Sequence, residues 1–180
     1  MLRVTIPAVE GWDEVKEEYV YVKSQTLQLE HSLVSVSKWE SKWCKPFISN
    51  KNMTEEETIY YIKCMTITQN VPDEVYDNIP DYIIEEITKY IGAPMTATWF
   101  SEDKYKKPNS ETVTAELIYY WMIALNIPFE CQKWHLNRLL TLIRVCNIKN
   151  APPKKMGRRA TMSRNSALNA ARRKQLNTRG

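Results

Sequence analysis

Only four glycines are spread over the 180 residues, and no glycine-rich loop of the kind that cradles phosphates can be assembled from them. A nucleophile elbow and a His-Glu-x-x-His helix are also missing. Two histidines, His31 and His135, are all the imidazole chemistry the chain has. Nowhere do eighteen apolar residues follow one another, which excludes the ordinary membrane-spanning helix. Residues 1–10 show neither a basic lead nor a long apolar run, so a soluble, intracellular protein with no membrane partner is expected. Cys44, Cys64, Cys131 and Cys146 lack the clustered spacing of a secreted disulfide framework, and reduced, buried thiols are the expectation.

One more absence organises the chain. The last thirty residues contain no acid but nine cations: Lys154, Lys155, Arg158, Arg159, Arg164, Arg172, Arg173, Lys174 and Arg179. That leaves sixteen of the 25 basic residues against all 21 acids in the first 150, an excess of five negative charges. Clustered cations repel one another until an anionic surface neutralises them, so the tail reads as an element built to meet something negative. With 43% hydrophobic residues overall, residues 1–150 suffice for one core. Residues 151–180 hold only Met156, Met162, Leu168 and Leu176 among alanines and cations, too little apolar area to offset the entropy of ordering. The predicted division is therefore a compact, mostly helical domain over 1–150 and a flexible or partner-ordered basic tail over 151–180, separated at Ala151-Pro152-Pro153.

Within the body, Leu2, Val4 and Ile6 alternate, as do residues 18–22, which suggests a small antiparallel pair. Leu27 and Leu29 keep the period of two before Leu33, Val34, Trp39, Trp43 and Cys44 recur at helical spacing up to Pro46, placing a strand-to-helix transition near His31. Thr54 and Glu57 form a capping box for a helix to about Thr68, which makes Asn52-Met53-Thr54 a helix start rather than a glycosylation acceptor. Pro72 and Pro80 open two further helical segments, the second closed by Gly92 and Pro94, and 95–100 reads as a short strand or packed loop. The strongest pattern spans 114–148. Leu117, Ile118, Trp121, Met122 and Leu125 form one stripe before Pro128; Trp134, Leu139, Leu140, Leu142, Ile143, Val145 and Cys146 supply the next helix's buried side. These two helices are the predicted core, with Lys133, Asn137, Thr141 and Arg144 on another face. The fold class is mainly α with a small N-terminal antiparallel β element.

No catalytic constellation emerges, and the chain reads as non-enzymatic, with no cofactor. Cys131 and His135, four apart, could with Cys146 offer a soft metal site, but a buried cysteine is more simply a small hydrophobe, and no metal is assigned. Six tryptophans could stack nucleic-acid bases; those in the apolar stripes read as core. The candidate partner-binding residues are Arg158, Arg159, Arg164, Arg172, Arg173 and Lys174. They would serve equally as a nucleic-acid tether or as a clamp on an acidic helical protein, and a third reading is a solvated tail that only aids solubility.

The longer words of the sequence are LEHSLVSVSKWESKWCKPF (29–47), YYIKCMTI (60–67), PMTATWF (94–100), ELIYYWMIALNIPFECQKWHLNRLLTLIRVCNI (116–148) and SALNAARRKQLNTRG (166–180). Together they resemble small tailed-bacteriophage proteins of the tail-morphogenesis region, similar to those called tail assembly chaperones. The resemblance implies a protein of the host cytoplasm that coats the helical tape-measure protein, keeps it from aggregating and hands it to tail-tube subunits. Two alternatives stay open: a structural virion component of head, connector or tail whose basic arm lies on DNA or a neighbouring subunit, and a nucleic-acid-binding regulator. A homo-oligomer also stays open.

Overall fold

The computed structural model describes residues 1–13, 18–50, 52–100, 111–152 and 157–178. Four strands, β1 (Leu2–Ile6), β2 (Val9–Asp13), β3 (Glu18–Val22) and β4 (Gln25–Leu29), come first. β1 pairs antiparallel with β4, Leu2 opposite Leu29 and Val4 opposite Leu27, while β2 pairs antiparallel with β3, Val9 opposite Val22. The opening therefore does not pair with 18–22, as alternation alone suggested. Both ladders keep a single register, forming one long hairpin interrupted at Pro7, which has no N–H to give a ladder. Ser24 Oγ donates to Ile6 O at 3.0 Å across the break. The period of two puts Val4, Ile6, Leu27 and Leu29 inside and leaves Arg3 and Thr5 outside.

Helix α1 (Leu33–Trp43) begins where Ser32 and Ser35 satisfy each other's backbone N–H groups in a capping box, and it ends with Cys44 in the left-handed region at φ 51°. Helix α2 (Glu55–Met65) opens on the predicted Thr54–Glu57 box, with three glutamates in the first turn where the helix dipole favours them. It stops short of Thr68 because the following residues serve the hairpin. Ile67 N donates to Gln28 O at 2.8 Å, and Gln28 N donates to Thr68 Oγ1 at 2.9 Å. These bonds cover the free edge of β4, a place where an unpaired strand would invite association.

Helices α3 (Asp73–Asp77) and α4 (Asp81–Gly92) each start immediately after a proline, Pro72 and Pro80, which occupy the cap position rather than the first turn. Residues 95–100 form no strand. Helix α5 (Ala115–Ala124), a 3-10 turn over Phe129–Lys133 and helix α6 (Leu136–Asn150) complete the body. The 3-10 turn follows from Pro128, whose ring closes off a continuing α-helix.

The centre of the core differs from the predicted α5–α6 pair. Helix α1 packs against α2, α5 and the 3-10 turn, while α4 packs on β1. Trp39 is wholly buried, its Nε1 donating to Glu57 O at 3.0 Å and its ring meeting Phe47 edge-on at 5.2 Å. Ile118, Met122, Leu139 and Ile143 join this core. Trp134 does not: it is exposed, with the Arg138 guanidinium stacked on its ring at 4.3 Å. A turn with 3-10 geometry shifts the angular position of everything after it, so a helical phase carried through Pro128 misplaces Trp134.

Buried Glu40 ties distant pieces together. Its Oε1 accepts from Phe47 N and its Oε2 from Ala115 N, both at 2.7 Å. One carboxylate thus holds the turn after α1 and the first amide of α5, a helix terminus that attracts negative charge.

The chain divides into two compact units, Met1–Asn147 and Ile148–Gly180. The division falls within the last turn of α6, a few residues before the proline pair; Pro153 itself lies outside the described residues. In the second unit, α7 (Arg158–Leu176) is a 19-residue helix.

Candidate functional site

Alanine and arginine are strong helix formers, and 158–176 contains four of the first and five of the second. That composition explains why the tail, expected to order on a partner, is helical here. Gly157 provides the cap without a side-chain hydrogen bond, and Asn177 closes the helix in the left-handed region at φ 51°. The helix is about 28 Å long at 1.5 Å per residue. Arg158, Arg159, Arg164, Arg172, Arg173 and Lys174 all lie on it and all are exposed. Lys154, Lys155 and Arg179 lie outside the described residues.

At 3.6 residues per turn the six cations are distributed round the whole axis, with no angular gap wider than about 80°. Met162, Leu168 and Leu176 are exposed as well, so α7 offers a charged cylinder rather than one apolar stripe. Arg172, Arg173 and Lys174 stand at the C-terminal end that the helix dipole makes negative; Arg158 and Arg159 stand at the end it makes positive. An anion near the first turn would relieve the latter pair.

The first unit contains a second arrangement, which local sequence does not announce. His31 lies between β4 and α1, and His135 lies just before α6. A bridge between Ser32 and His135, with Leu136 N donating to His31 O at 2.7 Å, brings the rings edge to face at 5.0 Å. Both are buried. Burial, and then the neighbouring His135, lowers His31 to about 3, and burial also lowers His135. Both imidazoles are therefore neutral at pH 7.

His135 Nε2 donates to Tyr90 O at 3.0 Å, leaving its Nδ1 to accept from Asn137 N. Tyr90 in turn donates its hydroxyl to Glu30 at 2.7 Å, and Glu30 pairs with the Met1 ammonium at 2.9 Å. His31 Nδ1 faces the Tyr61 hydroxyl, whose proton burial holds more tightly than usual. Asn137 donates to both Ile91 O at 3.0 Å and Ala93 O at 2.8 Å, capping α4. It turns inward and does not belong with Lys133 and Arg144 on an outer face.

Beside His31 and Tyr61 lies a pocket of about 440 Å³, walled by α2, α4, α6 and the turn after α1. Its apolar walls include Phe47, Met53, Ile62, Ile87 and Leu140, and among the described residues no Asp, Glu, Lys or Arg lines it. Among the described residues no three His, Cys, Asp or Glu side chains converge to hold a metal ion. Cys131 is buried and His135 is committed to Tyr90 and Asn137. Also among the described residues, no helix is long and apolar enough to cross a membrane. Neither the family models, the curated proteins nor the solved structures contain a match to this chain.

Proposed function

We propose that this is a non-enzymatic binding protein whose docking element is α7. The observation that carries the reading is a 19-residue helix with six exposed cations and no acid. Combined with the resemblance to phage tail assembly chaperones, it makes the partner the tape-measure protein, held during tail morphogenesis in the host cytoplasm. Contacts between exposed charges are individually weak and screened by salt, which suits a partner that must later be handed on.

The test replaces Arg158, Arg159, Arg164, Arg172, Arg173 and Lys174 with glutamine, which removes charge and keeps helix propensity. Nuclease-treated lysates of cells making the tagged protein are then analysed by mass spectrometry. Recovery of a long, helix-rich tail protein by the parent chain and its loss with the variant is the expected result. Equal recovery by both would remove α7 from the binding role.

The all-round placement of cations favours a second reading, a virion component or regulator whose arm lies among phosphates. Log affinity for duplex DNA would then fall with log salt at about −0.9 per neutralised phosphate. Fixed copy number in finished particles would mark the virion component.

A further inference from the structure

We propose that the pocket between α2, α4 and α6 is a binding site for a neutral, mainly apolar small molecule carrying one hydrogen-bond acceptor, which His31 Nε2–H engages. The site lies in the first unit and involves none of the α7 cations.

The proton assignment comes from the neighbours. Ser35 Oγ donates to Ser32 O at 2.7 Å and accepts from Ser32 N at 3.0 Å, and it stands 3.4 Å from the Tyr61 hydroxyl. Because a 3.4 Å contact to Ser35 Oγ is a poor bond for a buried hydroxyl, we assign the Tyr61 proton to the much closer His31 Nδ1. A neutral imidazole that accepts at Nδ1 carries its single proton on Nε2. That Nε2 has no hydrogen-bond partner among the described residues, in a side chain that is 3% exposed and forms part of the pocket wall. The adjacent His135 offers it no acceptor, since both ring nitrogens are engaged with Tyr90 O and Asn137 N. This Nε2 is not sealed from solvent, so a molecule entering the pocket that His31 lines can reach it and supply the missing acceptor.

The rest of the wall sets the ligand's class. Thr58 and Thr88 commit their hydroxyls to their own helices, through Thr54 O and Ile84 O, and Asn137 spends its amide on Ile91 O and Ala93 O. With no charged group among the described residues of the wall, an ionised ligand would find no counter-ion there to offset its desolvation. A volume of about 440 Å³ falls within the range of small-molecule sites, about 300–1,000 Å³, and such sites pair broad apolar walls with few directing polar groups.

The probe is prodan, a neutral naphthyl ketone with an apolar body and one carbonyl acceptor, whose emission shifts to the blue in apolar surroundings. It is titrated into the full chain and into two variants. In Gly92→Leu a side chain is added at a wall position whose Cβ meets no atom within 4 Å, so the fold accommodates it while the pocket narrows. Thr88→Leu enlarges a second wall residue. The expected result is saturable binding of one prodan per chain with blue-shifted emission, at least tenfold weaker in each folded variant. Nitrogen NMR of the His31 ring should show Nε2 moving on addition of the probe. Absence of saturable binding, full affinity in a folded variant, or a His31 resonance that does not move would overturn the proposal. So would a self-associated parent chain that Gly92→Leu dissociates, since the occupant would then be a second copy.

Discussion

Moving the protein from pH 7.5 to pH 5 is expected to weaken the body through its two buried histidines. His31 is held at about 3 against an ordinary value of about 6.5, so below pH 6.5 the unfolded chain takes up a proton that the folded chain refuses. Stability is then fully present above 6.5 and falls with pH until about 3, at ~1.4 kcal/mol per pH unit for one such proton. Between pH 7.5 and 5 the share from His31 is ~2 kcal/mol, and its ceiling at full titration is ~5 kcal/mol. His135 is lowered as well and acts in the same direction. The groups facing them are Tyr61 on one side and Tyr90 with Glu30 on the other. Glu57, held below its ordinary range first by Lys45 and then by the Thr54 amide, keeps its contribution above about 4.5 and loses it only at lower pH, outside this window. Urea unfolding at both pH values measures the difference. His31→Leu should lower stability at pH 7.5, because Tyr61 loses its acceptor, and should flatten the dependence on pH. Equal stability of the parent at pH 7.5 and 5, or an unchanged slope in His31→Leu, would refute the reasoning.

Glu40→Ala strands the Phe47 and Ala115 amides and is expected to cost ~3–5 kcal/mol in chemical unfolding, with Glu40→Gln milder because one acceptor oxygen survives. Ser32→Ala removes half of the α1 capping box and should cost ~1 kcal/mol, seen as a lower urea midpoint at unchanged slope. Leu139→Ala, at a wholly buried site in α6, should cost ~2–5 kcal/mol. Replacing Ala167 and Ala170 by glycine should lower far-ultraviolet helix signal from α7 by ~1 kcal/mol of propensity per site, with little change in the body's unfolding midpoint.

Features set by neighbours in the chain are legible in the sequence. The Thr54–Glu57 box forms as its spacing predicts, the transition near His31 becomes β4 followed by α1, and the mainly helical class with a small N-terminal β element is the one observed. Boundaries shifted where another part of the fold claimed the residues. The end of α2 went to the edge of β4, and Pro7 turned one expected pair of segments into an interrupted hairpin. Trp134 falls outside the core because helical phase does not survive the 3-10 turn after Pro128.

By itself the sequence determined the Thr54–Glu57 capping box, the alternation of the hairpin, and the separation of an acidic body from a cationic, alanine-rich end, because each depends on side chains a few residues apart. Only the tertiary structure decided the pairing of β1 with β4, the grip of Glu40 on Ala115 and the meeting of His31 with His135 beside a mainly apolar pocket. Those contacts join residues with no shared period, and they form when burying α1 leaves polar groups that must find partners wherever the packed chain has placed them.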